Sequence, residues 1–467
     1  VGNGGFVEVS GLQNLKFDGL VSTLSASGNA GTLLLDPSDV TIGSDVTKNA
    51  LLNALANGNV VIHTSSDEAE SGNIIVQNGG GNLFYNSANH LSLFAHGNVI
   101  VDDNIQNDGE GNINIFAGWD GTGADSFAYV PTSAASFPNG GEGAGGDISF
   151  ATLTDSANFG DYGNEGGAVL LNSGAFGEVA VGSAGGETNV FGSVLLASAG
   201  NGADEFTQVG YFRFNGANIA TGDINVRAKS LISLTGTGAA DAHVMIGHGG
   251  SNNANQANRI GNSISVDDAN ISVISESGGI LMRGGGNRSF NQIGHGGMES
   301  FGDLSGDVTV ESLFLDMLGS SSAANQEFAG VRVGHGGVLE MIGTFSGDIS
   351  VLVDNYVRGA SGLESIGGGG SFVNPAGSEG DIVQIGHGGY RSGVVGAYEH
   401  NWTNNANLGL NVGSLTTVYN AGGNATVAGG GVTRDVAGSE GGRAVASDLT
   451  GHSGAIHVEA RVGDVTL

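Results

Sequence analysis

The chain has no cysteine, 4 prolines, 2 tryptophans and only 14 lysines and arginines in 467 residues. Each shortage excludes something. Without cysteine there is no disulfide framework, so an exported form must rely on a large buried core. Proline is too scarce, and the 88 glycines too irregular, for a collagen triple helix. Against 46 acidic residues the few bases leave a formal net charge of −32. Nucleic acid and anionic membrane surfaces require basic patches, and the sequence has none. No run of about 18 apolar residues occurs, so neither a transmembrane helix nor membrane insertion is expected. Hydrophobic residues reach 39%, too many for a disordered chain. Charged residues are 13%, which leaves the surface to Asn, Ser, Thr, Gly and scattered acids. No signal peptide opens the chain, and Val1 begins in mid-pattern, as a mature form or a fragment would.

What is present is repetition. Short alternating runs follow Gly-Asn or Gly-Asp throughout: "GNVVI" (58–62), "GNIIV" (72–76), "GNVIV" (97–101), "GDINV" (222–226), "GDVTV" (306–310), "GDISV" (347–351). Period-two alternation marks a strand buried on one face, and Gly with Asp or Asn supplies the turn before it. A second mark recurs. "VMIGHGG" (244–250), "QIGHGG" (292–297), "VRVGHGG" (331–337) and "VQIGHGG" (383–389) carry histidines spaced 47, 40 and 52 residues apart. The interval from the apolar residue before this corner to the next Gly-Asp is nearly constant (Ile293 to Gly306, Val333 to Gly347, Val209 to Gly222). The last of these intervals begins "QVGYF" (208–212), which puts Tyr211 where the other copies have histidine. Internal repetition of short strands with glycine corners selects an all-β fold, a parallel β-helix with loop insertions. One segment, "SDVTKNALLNALANG" (44–58), reads instead as a short helix near 44–57 with Ser44 as N-cap and Gly58 as stop.

The first quarter resembles the large exoproteins of the filamentous haemagglutinin family. The similarity runs through "VGNGGFVEVSGLQNLKFDGLVSTLSASGNAGTLLLDPSDVTI" (1–42), "LLNALANGNVVIHTS" (51–65), "SGNIIVQ" (71–77) and "LSLFAHGNVIVDDNI" (91–105). It covers about residues 1–118, with "GTLLLDPSDVTI" its most specific part. The resemblance implies a right-handed β-helix, two-partner secretion, and a place at the surface of a Gram-negative bacterium, often as an adhesin. The family's amino-terminal secretion domain, with its Asn-Pro motifs, is absent from this sequence. The "IGHGG" module is not part of the resemblance. The organisation expected is one continuous solenoid. Residues 1–118 are its haemagglutinin-like segment, 119–221 glycine-rich coils with long insertions, 222–390 the IGHGG coils and 391–467 C-terminal coils.

Gly247-His248, Gly294-His295, Gly334-His335 and Gly386-His387, with Tyr211 as a fifth member, admit two readings. Stacked imidazoles about 4.8 Å apart could bind a transition metal. No Cys, Asp or Glu recurs beside them, and a tyrosine copy breaks a metal ladder, which favours a structural corner. On the structural reading, replacing His387 by Ala is expected to cost little. The Gly-Asp aspartates Asp147, Asp223, Asp307 and Asp348, with Asp381 in the same Gly-Asp context, pose a similar choice. Loosely bound Ca²⁺ could bridge a column of carboxylates, or each Asp could cap its own turn, a role that Asn262 in "GNSISV" would also fill. No cofactor is required on either view. Enzyme motifs are missing: no H-E-x-x-H, no G-x-S-x-G, no cysteine nucleophile, and "GTGADS" (121–126) lacks the phosphate-loop lysine. Attachment to a host or neighbouring cell surface, to a glycan, or to further copies of the chain is expected instead. The aromatic insertions carrying Trp119, Tyr129, Tyr390, Tyr398 and Trp402 are the candidate contacts, or else they cover the solenoid flank.

Overall fold

The alternating segments pair in parallel, each with a segment one repeat further along the chain. The computed structural model describes residues 2–11, 15–64, 72–118, 167–172, 179–200, 205–212, 219–238, 242–251, 264–286, 289–298, 302–319, 330–338, 341–342, 345–360, 383–387, 392–393, 414–420, 455–460 and 465–466. They form the stacked parallel sheets of a β-solenoid with one helix, gathered into two compact units. Among the described residues no helix is long and apolar enough to cross a membrane.

The first unit comprises 1–172, 179–196 and 225–229. One of its faces stacks Phe6–Gly11, Thr32–Pro37, Asn59–His63, Leu91–Ala95 and Ile113–Ala117 in unbroken register. A second stacks Val40–Ile42, Ile74–Val76, Val99–Val101 and Ala168–Asn172. A third stacks Leu83–Tyr85, Ile105–Asn107 and Val179–Ser183. Inward Val, Ile and Leu form columns, so Leu35, Ile62, Leu93 and Ile115 are all fully buried. Each such side chain contributes about 1.5–3 kcal/mol by leaving water, and each coil covers what its neighbour exposes.

The helix is Lys48–Ala56, and its N-cap is Thr47 rather than Ser44. Residues 44–46 are held in a turn, with Gly43 N donating to Val46 O at 2.8 Å and Asp45 N to Thr41 O at 2.8 Å. Thr47 is therefore the first residue free to cap, and its Oγ1 accepts from Ala50 N at 3.3 Å. The helix packs on Leu83–Tyr85, the first strand of the third face, with Leu51 and Leu55 fully buried. Ser87 Oγ and Asn89 Nδ2 each donate to Leu55 O at 2.8 Å. The buried Lys48 ammonium pairs with buried Asp103 and donates to Gly79 O at 2.7 Å. The helix thus covers an edge of Leu83–Tyr85, which among the described residues pairs with Ile105–Asn107 alone.

The second unit comprises 173–178, 197–224 and 230–467. Its long sheet stacks Ile271–Ser275, Val308–Leu318 and Ile349–Ala360. The expected separate strands "DVTV" and "LFLDML" are one element there, with an irregularity between Ser312 and Phe314. A second face stacks Thr207–Val209, Val244–Ile246, Asn291–Ile293, Val331–Val333 and Val383–Ile385. Each of the middle three leads through its Gly-His corner into a further short strand: Gly249–Ser251, Gly296–Met298 and Gly336–Val338.

Candidate functional site

The Gly-His corners converge on one buried column. At each corner the glycine is obligatory. A Cβ on Gly210, Gly294 or Gly334 would lie 2.0, 2.0 or 2.3 Å from the carbonyl oxygen of the corresponding glycine one coil later. Their φ angles, between +135° and +152°, also belong to the region glycine favours. This close backbone approach turns the next side chain inward. His248, His295, His335 and His387 are all completely buried.

Both nitrogens of every ring are engaged. Nδ1 of His248, His295, His335 and His387 accepts the backbone N–H of Tyr211, His248, His295 and His335 at 2.9, 3.0, 3.1 and 3.1 Å. Nε2 lies 2.6, 2.7, 2.7 and 2.8 Å from the carbonyl oxygens of Gly222, Ala269, Gly306 and Gly347. A carbonyl only accepts, so Nε2 carries the proton and Nδ1 is bare. The network assigns one neutral tautomer to the whole column. Neighbouring rings stack with centroids 5.2, 4.7 and 4.7 Å apart and planes within 15° of parallel. Tyr211 heads the column: it gives its N–H to His248 but has no ring nitrogen with which to receive one.

Burial sets the electrostatics. Desolvation pushes the His248 and His387 pKa values down to about 4 and that of His335 to about 3. His295, between two other imidazoles, is held well below 6.5, first by desolvation and then by repulsion from His335 and His248. Protonation would replace the Nδ1 acceptor with a donor aimed at an N–H. A metal would have to displace the backbone N–H from Nδ1 or the proton from Nε2. The expectation that His387→Ala costs little is corrected by this geometry. Truncation would leave the His335 N–H and the Gly347 carbonyl without their buried partner and open a cavity.

A second set of residues supports the corner from outside, and the sequence reading passed over it. Gln208 Nε2 donates to Gly247 O and Gly249 O, both at 2.8 Å. Gln292 Nε2 donates to His295 O and Gly336 O, both at 2.9 Å. Both glutamines are fully buried. The signal was the leading Q of "QVGYF" and "QIGHGG"; Met245, Arg332 and Gln384 hold the same register position in the other coils.

Asp223 and Asp307, with Asn270 between them, form a second column whose side chains accept from the next coil rather than capping as expected. Asp223 Oδ1 accepts Asn270 N at 2.7 Å, Asn270 Oδ1 accepts Asp307 N at 2.9 Å, and Asp307 Oδ1 accepts Asp348 N at 2.8 Å. Each of these three side chains reaches the backbone of the next coil, which parallel stacking brings alongside. The Asn of this column is Asn270, in "DANISV"; Asn262 lies outside the described residues. The two columns run in opposite directions. Asp and Asn accept from the following coil, whereas histidine accepts from the preceding one. Among the described residues no group of three or more His, Asp or Glu is placed to hold a metal ion. Asp147, Asp381, Trp119, Tyr129, Tyr390, Tyr398 and Trp402 lie outside the described residues.

No known family model, curated protein or solved structure matches this chain. The resemblance to haemagglutinin-like exoproteins is carried by the quoted residues of 1–118 alone.

Proposed function

We propose that the chain is a non-enzymatic part of a secreted bacterial surface fibre or adhesin, a β-solenoid scaffold presenting loops for attachment to a cell surface or glycan. One observation carries this reading. The four column imidazoles, residues suited to acid–base or metal chemistry, spend both ring nitrogens on backbone hydrogen bonds within the solenoid. The charge of −32 favours a soluble, cation-tolerant extracellular surface over a nucleic-acid or membrane partner. Export from a Gram-negative cell by two-partner secretion follows from the resemblance of the first quarter. The test is binding of the purified, fluorescently labelled chain to host and bacterial cells, run beside a glycan-degradation screen. Saturable binding without substrate turnover supports the reading; turnover of any glycan sinks it.

A second reading, a self-assembling filament subunit, is favoured by the exposed apolar side chains of the first unit, Phe6 at 47%, Leu20 at 82% and Leu24 at 56%. Negative-stain images separate the two: long fibres formed by the purified chain favour assembly, and discrete particles favour the adhesin.

A further inference from the structure

The helix Lys48–Ala56 carries a nucleophile that the attachment reading does not use. The chain has three lysines. Lys16 and Lys229 are exposed, as lysines ordinarily are, but Lys48 is buried. Its partner Asp103 is buried too, and the two side chains are 2% and 6% exposed. They lie 55 residues apart in the chain and meet directly, Nζ against Oδ2. Nζ also donates to Gly79 O at 2.7 Å, and Asp103 Oδ1 accepts Asn104 N at 2.7 Å.

Three features disfavour the charged form of this pair. Burial penalises an ammonium and a carboxylate alike. Lys48 is the first residue of its helix, and no acidic residue stands in the first turn. Its side chain therefore starts at the positive end of the helix dipole, the wrong end for a cation. Asp102, next along the chain, has its pKa raised first by burial and then by the charge on Asp103, so this corner resists carrying two carboxylates.

We propose that Lys48 and Asp103 are a covalent modification site and join in an intramolecular isopeptide bond. The proposal is independent of the attachment reading. The step balances without an oxidant or a cofactor. One proton passes from Nζ to Oδ2, which sets a neutral amine against a carboxylic acid. Nζ then attacks Cγ, the Nζ–Cγ bond forms and the Cγ–Oδ2 bond breaks. Oδ2 leaves as water, taking a second proton from Nζ. The N–H of Asn104 on Oδ1 stabilises the charge that builds there. Holding the two groups together out of water supplies the proximity that amide formation needs. The product also fits the site: its one N–H has Gly79 O to accept it, and its carbonyl keeps the Asn104 N–H. In a chain without cysteine the bond does what a disulfide does elsewhere, closing a long loop and pinning the helix to the solenoid, and no reductant opens it.

The experiment is the intact mass of the purified whole chain, measured in denaturant. The bond makes the chain lighter than its sequence by one water. Lys48→Arg keeps the cation but removes the amine nucleophile, and it should show the full mass. Proteolytic mapping of the parent should yield one branched peptide joining residue 48 to residue 103. A parent of full mass overturns the proposal, as does a water deficit that persists in Lys48→Arg. Recovery of Lys48 and Asp103 in separate, unmodified peptides overturns it as well. Should Lys48→Arg fail to fold, the branched peptide of the parent decides by itself.

Discussion

The two units tie coil to coil with different chemistry. In the first, Asn114 Nδ2 donates to Ser92 Oγ, Asn189 Nδ2 to Asn114 Oδ1 and Asn225 Nδ2 to Asn189 Oδ1, each at 2.9 Å. Asn73 and Asn98 extend a second column there, accepting from Asn98 N and Ala168 N at 2.8 Å. In the second unit the buried tie is the imidazole column. An amide is the same at every ordinary pH, whereas an imidazole must be neutral to accept. Both solutions satisfy the backbone, but only one of them depends on protons. In the first unit the part-buried His90 has a comparable position: its Nδ1 accepts Asn112 N at 2.9 Å, and burial lowers its pKa.

Acid should therefore separate the units most strongly. The folded pKa values of the four column histidines lie below the usual 6.5, near 4 for His248 and His387 and near 3 for His335. Between 6.5 and those values the unfolded chain binds protons that the folded chain refuses. Stability is thus fully present above about pH 6.5 and falls as pH drops toward 4. The slope is about 1.4 kcal/mol per pH unit for each histidine. Hydrogen exchange at pH 7.5 and 4.5 should show protection lost first across 244–246, 291–293 and 331–333. Equal loss in 91–95 and 113–117 would break the comparison.

Gly294→Ala comes next. Its Cβ would sit 2.0 Å from the Gly334 carbonyl, and backbone cannot yield without losing register. A loss of at least about 3 kcal/mol in urea unfolding is expected, confined to the second unit. Gly238→Ala, which meets nothing within 4 Å, should change stability by less than about 0.5 kcal/mol.

His335→Ala should cost roughly 3–4 kcal/mol by the same measurement, from the cavity plus the abandoned His295 N–H and Gly306 carbonyl. It should also flatten the pH dependence by one histidine. Asn114→Ala should cost less than His335→Ala, about 1–2 kcal/mol, with no change of pH slope.

Much of this fold is legible in the chain, and the reason is that a repeat states its rules several times. Alternating runs and Gly-Asp corners gave the strands, and the interval to the next Gly-Asp gave the coil. What escaped depends on contacts between coils. Glycines on both sides of His295 mark a corner, but its complete burial is set by partners 26 and 40 residues away. Asn270 was hidden because Ala269, rather than glycine, precedes it, while "GNSISV" nearby imitates the expected mark. Ser44 and Thr47 are equally good caps in isolation; the turn at 43–46 decides between them.

The opposed directions of the aspartate and histidine columns make each coil interchangeable. Excise the coil that contributes Asp307 and His335, and Asn270 can meet Asp348 while His295 meets His387, with no donor stranded. Duplicate it, and the new copy brings both its own acceptors and its own donors. Such a chain can change length by whole coils through simple duplication or deletion in its gene. Loops carried on any one coil can then be added, lost or multiplied without redesigning the rest.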